Sequence, residues 1–318
     1  MRGRFRGALL GTFIGDALGA PYEGLSRAQI VREVGPVTDL QGGRLGCGRY
    51  TDDTEMMIGL AQGLIDAEGA LDLDFIAERF ALVFTPYRGY GRNTRAVLES
   101  IKGGAPWHLA AARHTISGGS FGNGAAMRVA PVALAFLRDR DLAASSAQRQ
   151  GMITGHSHPL GEWGSRIQAL AVRRALRSGA AGRSFDPMGF IERLLSEAPP
   201  EPYKTKLTWI QRHLDVDGDV AVVALGNGVA AQDSVPIALW TFLKFRDEPA
   251  RAVSEAVAAG GDTDTIAAMT GAIVGAYHGV DCFPARWLDG LENEVRGRDH
   301  VMGLADDMFD LIDEHQDG

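Results

Sequence analysis

Three observations predict an all-α fold for this 318-residue chain. Apolar residues recur at helical spacing along most of its length, strand-type alternation is scarce, and several periodic segments open on recognisable cap residues. The expected helices cover 3–19, 53–67, 73–86, 92–102, 124–138, 141–152 and 161–178. They continue at 186–196, 203–214, 231–245, 248–259, 263–278 and 300–315. Asp141 is placed to cap "LAASSAQ", Asp233 or Ser234 to open "VPIALWTFL" with its early proline, and Asp262 or Thr263 to open "DTIAAM". Only "DVAVVAL" (219–225) invites a strand reading. In the first helix Gly7, Gly11, Gly15 and Gly19 recur every fourth position, and Gly271 and Gly275 do so near the end. Each such glycine costs about 0.8–1 kcal/mol relative to alanine in a helix. A stripe of them therefore implies close backbone packing, and places the start of the 263–278 helix near the centre of the protein.

An apolar content of 45% is enough to build a sizeable core, and no Pro/Gly-rich linker or low-complexity run divides the chain. One domain spanning 1–318 is expected. A net charge of −8 and a pI near 5.5 argue against a nucleic-acid groove, which needs clustered Lys and Arg. Two cysteines, Cys47 and Cys282, supply neither a disulfide framework nor a four-thiolate zinc site, so a reducing compartment is expected. The basic, then apolar N-terminus is interrupted by Asp16 and shows no A-x-A cleavage site. The least polar stretch, 265–280, is shorter than the roughly 20 residues a spanning helix needs. The expectation is a cytoplasmic protein with no membrane partner.

Two acidic clusters carry the chemistry. "GRYTDDTEMM" (48–57) holds Thr51, Asp52 and Asp53, and "GGDTDTIAAM" (260–269) holds Asp262, Asp264 and Thr265. Carboxylates at helix starts cap free N–H groups and favour the positive end of the dipole, which accounts for one aspartate per helix. It leaves unexplained two per cluster at both sites, where like charges repel. Hard divalent cations take oxygen ligands, and a hydroxyl with two carboxylates from each helix start suits a two-ion site with one bridging carboxylate. With no softer ligand in either cluster, Mg²⁺ or Mn²⁺ is favoured over zinc.

Around these clusters the chain resembles the ADP-ribosylglycohydrolase family almost end to end. The resemblance rests on "GALLGTFIGDALGAPYEG", "RYTDDTEMM", "RGYGRNT" (88–94), "GGSFGNGAAMRVAPVAL" (118–134), "GHSHPLG" (155–161), "GNGVAAQDSVPIAL" (226–239) and "GGDTDTIAAMTGAIVGAYHG". "SFGNGAAMR" and "GNGVAAQDSVPIA" look most like the branch that cleaves ADP-ribosyl-serine, O-acetyl-ADP-ribose and poly(ADP-ribose). The resemblance implies a compact all-α fold with a binuclear Mg²⁺ or Mn²⁺ centre beside the distal ribose of ADP-ribose. Carried over by motif, Thr51, Asp52 and Asp53 bind one ion, Asp262 and Thr265 the other, and Asp264 bridges them.

The same resemblance implies cleavage at the anomeric carbon of that ribose, through an oxocarbenium-like state. Glu23 of "GAPYEG" takes the place of the family's proton-transfer glutamate and, with Asp264, is assigned as catalytic; read without the family it is an ordinary loop glutamate. The glycine-rich loop "SGGSFGNG" (117–124) before a helix suits a diphosphate. Its candidate contacts are Gly119, Ser120, Gly122 and Asn123, with Phe121 stacking on adenine or ribose. Gly89, Tyr90 and Gly91 would line the phosphate or ribose pocket, and His156 matches a family histidine near the substrate, with His158 as its rival and helix capping as a third reading. Asp16 reads as a structural residue buried against the second helix. "GGSFG" also fits the G-x-S-x-G pattern of serine hydrolases, but "ARHTISG" is not the buried strand that motif requires. The implied substrate is an ADP-ribosylated protein or O-acetyl-ADP-ribose, handled by a monomer. The alternatives are hydrolysis of ADP-ribosylarginine and a non-catalytic, crystallin-like relative.

Overall fold

The computed structural model describes residues 1–182 and 184–314, whose regular structure is helical apart from one tiny hairpin and two isolated β-bridges. That hairpin pairs Gly42–Gly43 with Gly46–Cys47 in antiparallel register, Gly42 opposite Cys47. The all-α expectation holds. Position 315, the last residue of the final expected helix, lies outside the described residues; the helix itself is Arg298–Glu314.

At the centre, helix Arg2–Gly19 packs along helix Thr263–His278. The two glycine stripes face each other in antiparallel order, Gly7 on Gly275 and Gly11 on Gly271, with Gly15 on Ala267 and Gly19 on Thr263 and Asp264. A Cβ added to Gly11 would lie 2.1 Å from the Gly271 carbonyl oxygen, and one added to Gly275 would lie 1.8 Å from that of Gly7. Only glycine permits this approach, and the packing gained offsets its helical cost. Because the pair is antiparallel, the end of the first helix meets the start of the second. Gly19, the Ala20–Tyr22 turn and Glu23 therefore arrive beside Asp262 and Asp264. Around the pair, buried apolar residues from Phe5 to Met308 form one contiguous core.

Several local expectations change. The 124–138 helix is two short helices, Gly124–Met127 and Ala130–Ala135, because Pro131 lacks the N–H that would continue the first. "DVAVVAL" is helical within Gly218–Leu225: Ala221 and Leu225 are buried four residues apart, while Val220 and Val223 face solvent. Its β-branched composition is overridden by that one-sided burial. Helices Trp107–His114 and Ala285–Gly290 were not anticipated. Asp139, not Asp141, caps Arg140–Gly151, accepting from the N–H groups of Asp141 and Leu142 at 3.0 and 2.9 Å. Ala230 occupies the cap position before Ala231–Lys244, and Asp233 instead accepts from Lys206 at 2.7 Å. No helix among the described residues is long and apolar enough to cross a membrane.

Candidate metal centre

The two acidic clusters meet at the junction the glycine stripes create. Helix Asp52–Asp66 is docked there by Asp16, fully buried one turn before the end of the first helix. Both oxygens of Asp16 accept from the Thr51 N–H at 3.0 Å, and one also accepts from the Thr54 N–H at 3.1 Å. Asp16 thus satisfies the helix start that its own neighbours might have capped, as its reading as a buried structural residue requires. From outside, buried Arg88 donates to the Tyr50 carbonyl and to Glu292, both at 2.7 Å, and its guanidinium lies 3.7 Å over the Tyr50 ring. Glu292 in turn accepts from the Tyr50 N–H at 3.1 Å. Thr51 is held from both sides.

With capping provided by Asp16 and by the Thr51 hydroxyl, which accepts weakly from the Asp53 N–H at 3.4 Å, the aspartates are left for other work. Hydroxyls of Thr51 and Thr265 both donate to Asp53 Oδ2, each at 3.3 Å, joining residues 212 positions apart. Asp53 Oδ1 is buried with no hydrogen-bond partner. Asp262 stands at the cap position of Thr263–His278 but makes no cap bond with its side chain, which accepts from Asn123 Nδ2 instead. Oxygens of Glu23, Asp262 and Asp264 lie within 4.8 Å of one another.

This concentration of carboxylates is electrostatically incomplete. Burial, reinforced by the neighbouring carboxylates Asp16, Asp262 and Glu23, pushes Asp52 up to about 8. Asp53 and Asp264 are driven well above the ordinary carboxylate range by burial and then by the other acids of the cluster. Burial raises Asp262, and burial with the charge of Asp262 raises Glu23, against the pull of Arg44. An orphaned buried carboxylate oxygen amid mutually repelling acids and two hydroxyls is the donor set of a hard divalent cation. Adding Mg²⁺ or Mn²⁺ is therefore expected to raise the melting temperature, by the equivalent of about 2.7 kcal/mol at a hundredfold excess over Kd. Asp53→Ala should abolish that rise, and identical melting of the wild type with metal and with chelator would refute the assignment.

The glycine-rich loop reaches the same centre through Asn123, which is buried and donates to Ser234 Oγ at 3.1 Å as well as to Asp262. Its supply of free N–H groups is narrower than the sequence suggests. Those of Gly119, Ser120 and Asn123 go to the carbonyls of Ile116, Gly155 and Val229, and that of Gly122 to Ser120 Oγ at 3.2 Å. Gly119, at φ +85°, packs on Ser157 and His158. Phe121 is left 44% exposed, edge-on to His158 at 5.7 Å. His156 lies behind the loop, buried, its Nδ1 3.0 Å from Thr154 Oγ1 and its Nε2 facing Gly122 and Gly124. Burial and the charge of Arg128 push it down to about 3, so the ring is neutral. The capping role belongs to His158, whose Nδ1 accepts from the Leu160 N–H at 3.1 Å.

Among the "RGYG" residues, Gly89 adopts φ +108° at the site's edge, where an added Cβ would lie 3.3 Å from Asp52 Oδ1 and 3.1 Å from the Arg44 guanidinium. Gly91 precedes helix Arg92–Lys102 in open space. The buried Tyr90 hydroxyl is already committed to Glu55, 2.7 Å away. Sequence reasoning missed Arg44, Arg88 and Asn227. Arg44 is brought in by the hairpin and Arg88 by its pairing with Glu292, and neither leaves a local signal. Asn227, whose carbonyl accepts from the Asp262 N–H at 2.9 Å, sits in the "GNG" turn and was legible as a turn residue.

Fold and centre together define a class: an all-α protein with an acidic, metal-type cluster where the ends of a glycine-packed helix pair meet. Residues 1–318 match the family model described as ADP-ribosylglycohydrolase, and the chain belongs to that family. It is 35% identical to the ADP-ribosylhydrolase ARH3 of Danio rerio over 98% of this chain and 91% of the relative. With the Homo sapiens ADP-ribosylhydrolase ARH3 it shares 35% identity over 91% of this chain and 89% of the relative. The ADP-ribosyl-[dinitrogen reductase] glycohydrolase of Rhodospirillum rubrum is 30% identical over 95% and 96%. A solved structure titled ADP-ribosylglycohydrolase-related protein complex superposes with a TM-score of 0.69 at 28% identity, covering 98% of both chains.

Proposed function

We propose that this protein hydrolyses the bond between the anomeric carbon of the distal ribose of ADP-ribose and an acceptor oxygen, releasing ADP-ribose. ADP-ribosyl-serine, O-acetyl-ADP-ribose and poly(ADP-ribose) form the substrate class. The observation that carries the reading is the convergence of Glu23, Asp262 and Asp264 within 4.8 Å, beside the orphaned oxygen of Asp53. The preference for serine-type acceptors rests on the segments "SFGNGAAMR" and "GNGVAAQDSVPIA", which resemble that branch of the family.

In this reading Thr51, Asp52, Asp53, Asp262, Asp264 and Thr265 would hold two Mg²⁺ or Mn²⁺ ions, Asp264 serving both clusters. Bound there, such ions would supply a template for the ribose hydroxyls and Lewis-acid activation of water. Glu23, on the exposed rim and raised by its surroundings, holds or moves the proton at the acceptor oxygen. Ser120, whose hydroxyl accepts from Gly122 and keeps its own proton to donate, meets the diphosphate. Phe121 offers its exposed face to adenine, and Gly89 leaves room for the ribose against Asp52. One domain, 1–318, acting as a cytoplasmic monomer completes the proposal.

Incubation with ADP-ribosyl-serine and ADP-ribosyl-arginine peptides, with and without chelator, tests it: metal-dependent release from serine and an intact arginine peptide are expected. Release from arginine alone would replace the acceptor, and no release from any acceptor would return the protein to a binding role. Glu23→Gln should lower kcat by about 10²–10⁴ while leaving the metal-induced rise in melting temperature in place. Loss of that rise would make Glu23 a ligand instead.

A further inference from the structure

Far from the carboxylates, the last turns of helix Pro159–Ala180 and the Pro187–Leu195 helix enclose a cleft of about 600 Å³. It is lined by five arginines, Arg140, Arg173, Arg174, Arg177 and Arg193, against only two carboxylates, Asp186 and Glu197. Both carboxylates are engaged: Asp186 caps its helix by accepting from the Gly189 N–H at 3.0 Å, and Glu197 accepts from Arg166 and Arg140 at 2.6 and 3.3 Å. Among the described residues Arg173, Arg174, Arg177 and Arg193 form no salt bridge. The Nε atoms of Arg173 and Arg174 are buried without a partner.

In a chain of net charge −8 this concentration of positive charge is out of character. Arg173 and Arg177 are four residues apart on one helix face, where like charges cost about 0.2–0.5 kcal/mol. Burial and then the facing arginines push Arg173 and Arg174 below the usual guanidinium range, Arg177 acting on the first and Arg193 on the second. Arg173 and Arg177 line the cleft from one face of helix Pro159–Ala180, and Arg174, which also donates to the Gly189 carbonyl at 2.9 Å, lines it with Arg193 of the Pro187–Leu195 helix. Each pair can fork a phosphoryl group bidentately.

We propose that this cleft is a second ligand site, which binds a diphosphate group between its two sets of arginines. It is distinct from the acidic centre. Helix Pro159–Ala180 touches the glycine-rich loop at Gly161, and Arg173 lies twelve residues on, about 18 Å at 1.5 Å per residue. The inference does not depend on the hydrolase reading, because neither the carboxylates nor Phe121 take part.

Calorimetric titration in chelator, which leaves the acidic centre repelling anions, tests it with inorganic pyrophosphate and with ADP. The wild type should bind one pyrophosphate per chain, more weakly as salt rises. The Arg173→Gln/Arg177→Gln double variant should weaken it by about tenfold or more. Retained metal-induced stabilisation in the double variant shows that it is folded. Pyrophosphate and ADP binding alike identifies a free diphosphate ligand, and tighter ADP binding that the double variant loses identifies a nucleotide. The proposal is overturned by absence of saturable pyrophosphate binding below about 10 mM, or by binding that the double variant leaves unchanged.

Discussion

Asp264→Ala is expected to abolish metal-dependent release of ADP-ribose, by about a thousandfold or more, the equivalent of about 4 kcal/mol. The same substitution should leave the metal-free protein's stability within about 1 kcal/mol of wild type. Those two halves belong together. Replacing a buried, packed side chain in an ordinary core destabilises, often by 2 kcal/mol or more. Asp264 is buried, yet its carboxylate is opposed by Asp53, Asp262, Glu23 and Asp16, and its resolved bond is to the N–H of its own neighbour, Thr265, at 2.9 Å. Without a cation the charge at this position is a burden, so removing it relieves repulsion while one hydrogen bond is lost. In the proposed two-ion centre the same oxygens would serve both clusters. Measuring urea unfolding in chelator alongside turnover in Mg²⁺ separates the effects. Full activity in Asp264→Ala would sink the shared-ligand assignment. A large loss of metal-free stability would recast Asp264 as a structural residue.

What the sequence revealed of this centre, and what it hid, divides along the range of the interactions. Thr51, Asp52, Asp53, Asp262, Asp264 and Thr265 were legible because two aspartates per helix start exceed what capping requires. The glycine stripes were legible as a demand for close backbone approach, and the structure shows them facing one another. Asp16 could be read as buried, but not as the acceptor that caps the neighbouring helix and frees its aspartates. Arg88 and Glu292 are 204 positions apart, and their clamp on Tyr50 exists only after folding. Tyr90 was placed in the pocket by the family resemblance alone, while its hydroxyl is committed to Glu55. The 218–225 segment was misleading for a different reason: its valines satisfy a strand's composition, and only the one-sided burial of Ala221 and Leu225 makes it a helix.

Gly11→Ala should destabilise the protein by about 3 kcal/mol or more, at the upper end of what overpacking costs. The site offers no inexpensive relief. The added Cβ would face the Gly271 carbonyl oxygen at 2.1 Å, a backbone atom that no rotamer change moves. Two helices that touch along their whole length would have to part by roughly 1 Å to restore van der Waals contact. Gly303→Ala, in the Arg298–Glu314 helix, provides the control: nothing lies within 4 Å of its added Cβ. There the helix propensity of alanine should stabilise by up to about 1 kcal/mol. Chemical denaturation of both variants decides the matter, and a Gly11→Ala protein within 1 kcal/mol of wild type would refute the backbone contact. The consequence reaches the site, because the same helix pair carries Asp16 at one end and Asp264 at the facing end. Partly separated helices would move Asp264 away from Asp53, which is docked through Asp16. At a temperature where Gly11→Ala remains folded, its apparent metal affinity should therefore fall, although the substitution is two helical turns from the nearest proposed ligand. Unchanged metal affinity in a destabilised Gly11→Ala protein would show that the centre is positioned by its loops, not by the helix pair.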